Sequence, residues 1–189
     1  MDDYYSHHPR RVLDRPLALV GFMGAGVSRT AHALASQQGL PFQELDRVVE
    51  HTAGMSRTRI VVEQGEPTLR AIEREQLVRL LADRPFGVLA LGDGALLDDA
   101  SRQRVREQAQ LVHVQRPLEV VLDAIRRELQ ASPGCYPEFV FAAPDSVEDL
   151  KPLHDERLPG YREADVAVLA HREHPRAVAD RVAEMLGWL

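Results

Sequence analysis

Residues Gly21-Phe-Met-Gly24-Ala25-Gly26-Val27-Ser28-Arg29 have the spacing of a loop that wraps a phosphate group. The pattern G-x-x-x-x-G-K-[S/T] requires a strand before it and a helix behind it. Successive backbone N–H groups can then turn inward around an anion at a helix N-terminus. Gly21 and Gly26 keep the interval, and Ser28 closes it with a hydroxyl that could meet Mg²⁺ beside a bound nucleotide. The lysine of the pattern is Val27, which carries neither charge nor donor. In a working loop that lysine meets the β- and γ-phosphates while charge develops during transfer. Removing such a group from a water-excluded site costs a few kcal/mol, about a hundred- to a thousandfold in rate. Arg29 lies two residues further on, roughly 200° around a helix, and reaches the phosphates only by folding back. Ser28 alone does not hold a nucleotide, so the loop reads as a nucleotide loop by descent with its cation removed.

These residues need a scaffold, and the chain spells one out. Five apolar runs, Pro16–Val20, Gln43–Asp46, Phe86–Leu91, Leu111–Val114 and Asp165–Leu169, read as strands. Between and after them, helical spacing predicts helices over 30–38, 47–53, 57–64, 66–81, 99–108, 118–129, 145–156 and 175–186. Buried strands alternating with helices predict one α/β domain, a three-layer sandwich around a five-stranded parallel sheet. Ligands of such folds collect outside the carboxyl ends of the strands. Three segments fall there: Gly21–Ser28, Glu44–Asp46 and the turn Gly92-Asp93-Gly94. Residues 1–15, with His7-His8-Pro9, read as a loosely attached tail, and the stretch 131–145, rich in proline and aromatics, as a loop.

Composition narrows the function classes. The 29 acidic against 23 basic residues leave a net charge of −6, which disfavours nucleic acid as the main partner. No apolar run approaches the roughly 20 residues of a bilayer span. The N-terminus lacks a secretory pattern, and one cysteine, Cys135, excludes an internal disulfide or a thiolate zinc cage. A cytoplasmic protein without membrane association is expected. The histidines are scattered, so no metal site is expected. Of the 23 basic residues 22 are arginine and one is lysine, Lys151. Codon bias would convert a lysine to arginine, yet position 27 holds valine.

Over residues 16–189 the chain resembles the shikimate kinases. The loop at 21–26, Pro41-Phe-Gln-Glu-Leu-Asp46, Gly54-Met-Ser56, Gly65–Glu73, Val88–Ala95 and Asp155–Tyr161 look like their motifs in order. The resemblance implies a P-loop small-molecule kinase fold with a lid near 131–145. It also implies roles: Asp46 would bind the substrate hydroxyls and accept a proton, and Arg70 and Arg157 would grip the substrate carboxylate. Planar guanidinium forks suit a carboxylate. Gly92 and Gly94 would flank the substrate, with Mg and ATP as co-reactants if activity survives. Several positions depart from the family. Glu44 replaces an aspartate near the metal, and Arg29 stands where threonine is usual. The lid Ala131–Pro144 has no basic residue to reach over phosphates. Arg126 and Arg127 lie just upstream, although Ala124 aligns with the family's adenine-side arginine. Val61 and Leu69 replace aromatic rings, which predicts a wider pocket. Asp93 puts a carboxylate in the glycine turn; it could repel an anion, pair with Arg70 or Arg157, attract an amine, or point to solvent.

Taken together, these residues give first a pseudokinase that binds a small hydroxylated carboxylate such as shikimate, or a protein partner. In the lid, Tyr136, Phe139, Val140 and Phe141 could close over an apolar ligand, dock a partner, or tuck into the core. The alternatives are a divergent small-molecule kinase, a non-kinase catalyst using Asp46 and Asp93 as acid and base, or a structural partner subunit.

Overall fold

The computed structural model describes residues 11–139 and 142–188; most of the expected tail, with His7 and His8, and Val140 and Phe141 of the expected lid lie outside them. The element order is β1 (Leu17–Val20), α1 (Val27–Gln38), β2 (Phe42–Glu44), α2 (Leu45–Ala53), α3 (Arg57–Gln64) and α4 (Glu66–Ala82). Then come β3 (Val88–Ala90), α5 (Asp99–Gln108), β4 (Gln110–Gln115), α6 (Leu118–Ala131), α7 (Val147–Tyr161), β5 (Val166–Leu169) and α8 (Pro175–Met185). The strands form one sheet in the order β2-β3-β1-β4-β5, every pair parallel.

Side chains alternate across the sheet and build two cores. Leu17, Leu19, Val88, Ala90, Val112 and Val114 face the layer of α1 and α8. Ala18, Val20, Leu89 and Leu111 face the opposite layer, with Leu45, Leu77, Ile125 and Leu150 from the covering helices. Both faces are dry, which is why the central strands read as unbroken apolar runs. β1 and β3, adjacent in the sheet, deliver the phosphate loop and the Gly92–Gly94 turn to the same edge. β2 adds Glu44 and passes directly into α2, whose first turn carries Asp46.

Three expectations about chain course are refined. The helix expected over 145–156 begins at Val147 behind a capping box of Ser146 and Asp149, and it runs on to Tyr161 through Pro152 and Pro159. Tertiary anchoring outweighs the two prolines: Tyr161 is buried and its hydroxyl donates to the Asp93 carbonyl at 2.9 Å. The lid is not wholly irregular, since Pro137–Phe139 form a 3₁₀ turn. Tyr136 and Phe139 pack against the core, so these two rings take the tucked arrangement and not that of an exposed patch. The expected tail is attached at its end: Arg11 donates to the Trp188 carbonyl at 3.1 Å and lies over its ring.

Candidate active site

The loop after β1 has the backbone of an anion cradle. Gly24 and Gly26 have φ of 71° and 84°, a left-handed conformation that side-chain-bearing residues resist. Gly26 caps α1, so the loop opens straight into the helix N-terminus. Ala25 and Val27 point into the core shared with α8, and Val27 is buried there. Position 27 therefore supplies no cation; the guanidinium of Arg116 reaches the loop from the end of β4, but it donates to the Gly24 carbonyl at 2.9 Å. Arg29 does not fold back into the loop; it crosses the mouth and pairs with Glu128 of α6 at 2.8 Å, largely exposed. Arg126 donates to the Pro144 carbonyl at 3.3 Å and Arg127 to the Asp123 carbonyl at 3.1 Å, so neither replaces the missing charge.

Ser28 donates to Glu44 in a short hydrogen bond. A hydroxyl and a carboxylate at the end of a phosphate loop suit a hard divalent cation held together with a nucleotide. The described residues contain no group of three or more His, Cys, Asp or Glu side chains able to hold a metal by themselves. Among them, Mg²⁺ would depend on phosphate oxygens for much of its coordination.

A cleft of about 410 Å³ runs from this loop to Asp46 and Asp93, with Glu128 and Tyr136 on the opposite wall. Asp46 sits in the first turn of α2, where the helix N-terminus favours its charge. Burial acts the other way and pushes its pKa up to about 7 from an ordinary 3.8; Arg57 opposes the rise, while Glu73, Asp93 and Glu44 add to it. Asp46 pairs with Arg57 at 3.0 Å through one oxygen. Its other oxygen, Oδ1, is buried without a partner among the described residues. That oxygen faces Gly92 so closely that a Cβ on Gly92 would collide with it.

Arg57 is a site residue that sequence reasoning did not single out. It is the first residue of α3, a helix end that disfavours a cation, and it has no acidic residue in its own first turn. A cation misplaced in this way is the signal that could have flagged it. Burial pulls its pKa down, but the carboxylates of Asp46 and Asp93 outweigh burial and raise it.

Deeper in the fold, Arg70 and Arg157 do meet, though not around an open space. Arg157, almost fully buried, donates from Nε to Asp93 at 2.5 Å and from Nη2 to Glu138 at 3.3 Å. Arg70 donates to Glu73 at 2.9 Å and to Glu66 at 2.9 Å, and lies 3.6 Å from the same Glu138 oxygen. Asp93 thus pairs with Arg157; it does not point to solvent. Glu138, from the lid turn, was also not anticipated. Burial and the nearby Asp93 raise its pKa, against the pull of Arg157 and Arg70. Gly94 lies against the Arg70 guanidinium, and only a missing Cβ leaves room for it. Leu69 is buried in the core and Val61 packs against it from the edge, so neither lines the cleft as described.

A phosphate loop after β1, acids at the ends of β2 and β3, and a parallel sheet in the order 2-3-1-4-5 define a P-loop small-molecule kinase fold. The family model for shikimate kinase matches residues 23–187. A shikimate kinase of Rhodopseudomonas palustris is 35% identical over 178 residues, covering 93% of this chain and 83% of the relative. One from Nitrobacter winogradskyi is 37% identical over 161 residues, covering 85% and 71%. The solved shikimate kinase of Acinetobacter baumannii in complex with shikimate superposes with a TM-score of 0.81 at 25% identity, over 91% of this chain and 92% of that one. The chain belongs to the shikimate kinase family. No helix among the described residues is long and apolar enough to cross a membrane.

Proposed function

We propose that this chain is a divergent small-molecule kinase, which binds a hydroxylated acceptor in the cleft and transfers a phosphoryl group to it slowly. Asp46 carries this reading: a buried carboxylate beside the phosphate loop, with a pKa of about 7 and one unpartnered oxygen. A base half-ionised near neutrality suits proton removal from an alcohol. Asp46 would accept the hydroxyl proton, Arg57 would hold Asp46 in place, and the 21–26 backbone would cradle the phosphates. Ser28 and Glu44 would hold Mg²⁺, which supplies charge neutralisation on the transferring group. The relatives at 35% and 37% identity favour this order of readings over a protein that only binds. Without a lysine at 27, turnover is expected about a hundred- to a thousandfold below that of a family member with the complete loop.

The second reading, a pseudokinase that binds its ligand and transfers nothing, is favoured by Val27 itself, packed into the core, while the cation nearest the loop, Arg116, is engaged on the Gly24 carbonyl at 2.9 Å. A coupled assay of ADP release with Mg·ATP decides between them. Acceptor-dependent release above the acceptor-free background supports the kinase. Acceptor binding by calorimetry without any release supports the pseudokinase. Binding of neither acceptor nor nucleotide would leave only a structural role.

A further inference from the structure

The two guanidiniums that the family resemblance assigns to a substrate carboxylate are already paired with carboxylates from within. Every nitrogen of Arg157 donates: Nε to Asp93 at 2.5 Å, Nη1 to the Leu153 carbonyl at 3.1 Å and to Glu156 at 3.0 Å, and Nη2 to Glu138 at 3.3 Å. Every nitrogen of Arg70 does the same: Nε to Glu66 at 3.1 Å, Nη1 to Glu73 at 2.9 Å, and Nη2 to Glu66 at 2.9 Å. One oxygen of Glu138 sits between the two forks, as a ligand carboxylate would. Neither arginine lines the cleft; the wall there is Asp93. Asp93 is buried, and its turn is anchored by the Asp93 carbonyl, which accepts from the Tyr161 hydroxyl at 2.9 Å.

The cleft itself is acidic. Glu44, Asp46, Asp93 and Glu128 line it, against Arg29 and Arg57. What the region lacks is donors. Two buried carboxylate oxygens, Asp46 Oδ1 and Glu138 Oε2, have no partner among the described residues. An arriving carboxylate would have to displace Asp93 or Glu138 and leave that acid buried without a counter-ion, which is strongly unfavourable. In the cleft a hydroxyl, amide or ammonium group would meet the Asp93 carboxylate and Asp46, whose Oδ1 has no partner among the described residues.

We propose that the acceptor of this cleft is a hydroxylated small molecule presenting a hydrogen-bond donor to Asp93, where a shikimate-type substrate presents its carboxylate. This specificity rests on the cleft being the acceptor site, and Asp93 is its determinant. Carboxylate selectivity would be lost to an internal carboxylate, with the ring-hydroxyl contacts at Asp46 retained.

Calorimetry with the full chain tests it using two probes that share one ring, shikimate and its neutral carboxamide, on the wild type, Asp93→Gly and Asp93→Asn. The wild type is expected to bind the carboxamide at least tenfold more tightly than shikimate. Asp93→Gly frees the Arg157 Nε and is expected to narrow or reverse that ratio. Asp93→Asn keeps the side-chain volume and decides the matter if circular dichroism shows the glycine variant unfolded. Tighter binding of shikimate by the wild type overturns the proposal and leaves the acceptor-site reading standing. A carboxamide preference that neither variant changes overturns the role of Asp93. Failure of both probes to bind any of the three proteins sinks the acceptor-site reading, and the specificity with it.

Discussion

The two ends of the cleft are built on opposite principles. The donor end, Gly21–Ser28, is a backbone cradle with an apolar underside: Val27 and Ala25 belong to the core with α1 and α8. The acceptor end is a web of buried ions, with Asp46 on Arg57, Asp93 and Glu138 on Arg157, and Glu73 on Arg70. A cradle made from main chain survives the loss of its lysine, because glycine geometry and the helix N-terminus do not depend on that side chain. A web of ions tolerates no single loss, since each removal leaves a charge in a poor dielectric. The donor end can therefore lose catalytic power without losing its shape, whereas at the acceptor end a change of specificity also disturbs a buried ion pair and costs stability.

This contrast can be broken experimentally. The largest effect is expected from Asp46→Asn: acceptor-dependent ADP release should fall about a hundredfold or more, while nucleotide affinity by calorimetry stays within a few-fold. An equal fall in nucleotide affinity would show that the two ends are not separable. Next, Gly92→Ala places a methyl against Asp46 Oδ1 and should lower stability by about 1–3 kcal/mol in urea denaturation. Gly94→Ala drives a methyl into the Arg70 guanidinium, which Glu66 and Glu73 hold in place, and should cost at least as much. Arg57→Met removes the cation that opposes burial at Asp46, so the acid limb of the pH–rate profile should move upward from about 7. An unchanged limb would mean that another group sets it. The smallest effect is expected at the donor end: Val27→Lys should raise ADP release less than tenfold, because the described part of the lid, through Phe139, brings no basic side chain over the phosphates. A hundredfold recovery in that single variant would put the whole donor deficit at position 27.

The pH dependence of stability sharpens the same comparison. Asp46 holds its proton more tightly in the folded than in the unfolded chain, so its contribution is fully present below an ordinary 3.8 and is lost as pH rises through about 7. Burial raises Glu73 and Glu138 in the same direction. Melting temperature should therefore fall between pH 4 and 7 more steeply in the wild type than in Asp46→Asn.

The layered fold was legible because its signals are local. Leu17–Val20 and Val88–Ala90 are apolar on both faces, and α3 and α5 end at the residues that helical spacing marks. The end of α7 was not legible: Pro159 and Gly160 argue for a stop, and only the burial of Tyr161 against the Gly92–Gly94 turn overrides them. The site divides in the same way. The loop, Asp46 and the Gly92–Gly94 turn follow from strand ends and a motif. Asp93 stands out in a glycine turn, and the sequence leaves four arrangements open for it, pairing with Arg157 among them; the choice lies in contacts 64 residues apart in sequence. Glu138 and Arg57 left no periodic trace, because nothing in spacing along one helix reveals which distant carboxylate a guanidinium will meet.

The double occupancy of Arg157 by Asp93 and Glu138 also constrains how this sequence can evolve. Removing Asp93 alone leaves Glu138 between the two arginines, and removing Glu138 alone leaves Asp93 on the Nε. Opening both forks to a ligand carboxylate would require intermediates that carry one acid too many or one cation unmatched. Under the proposed specificity the pair would act as a ratchet, which two simultaneous substitutions cross more readily than one at a time.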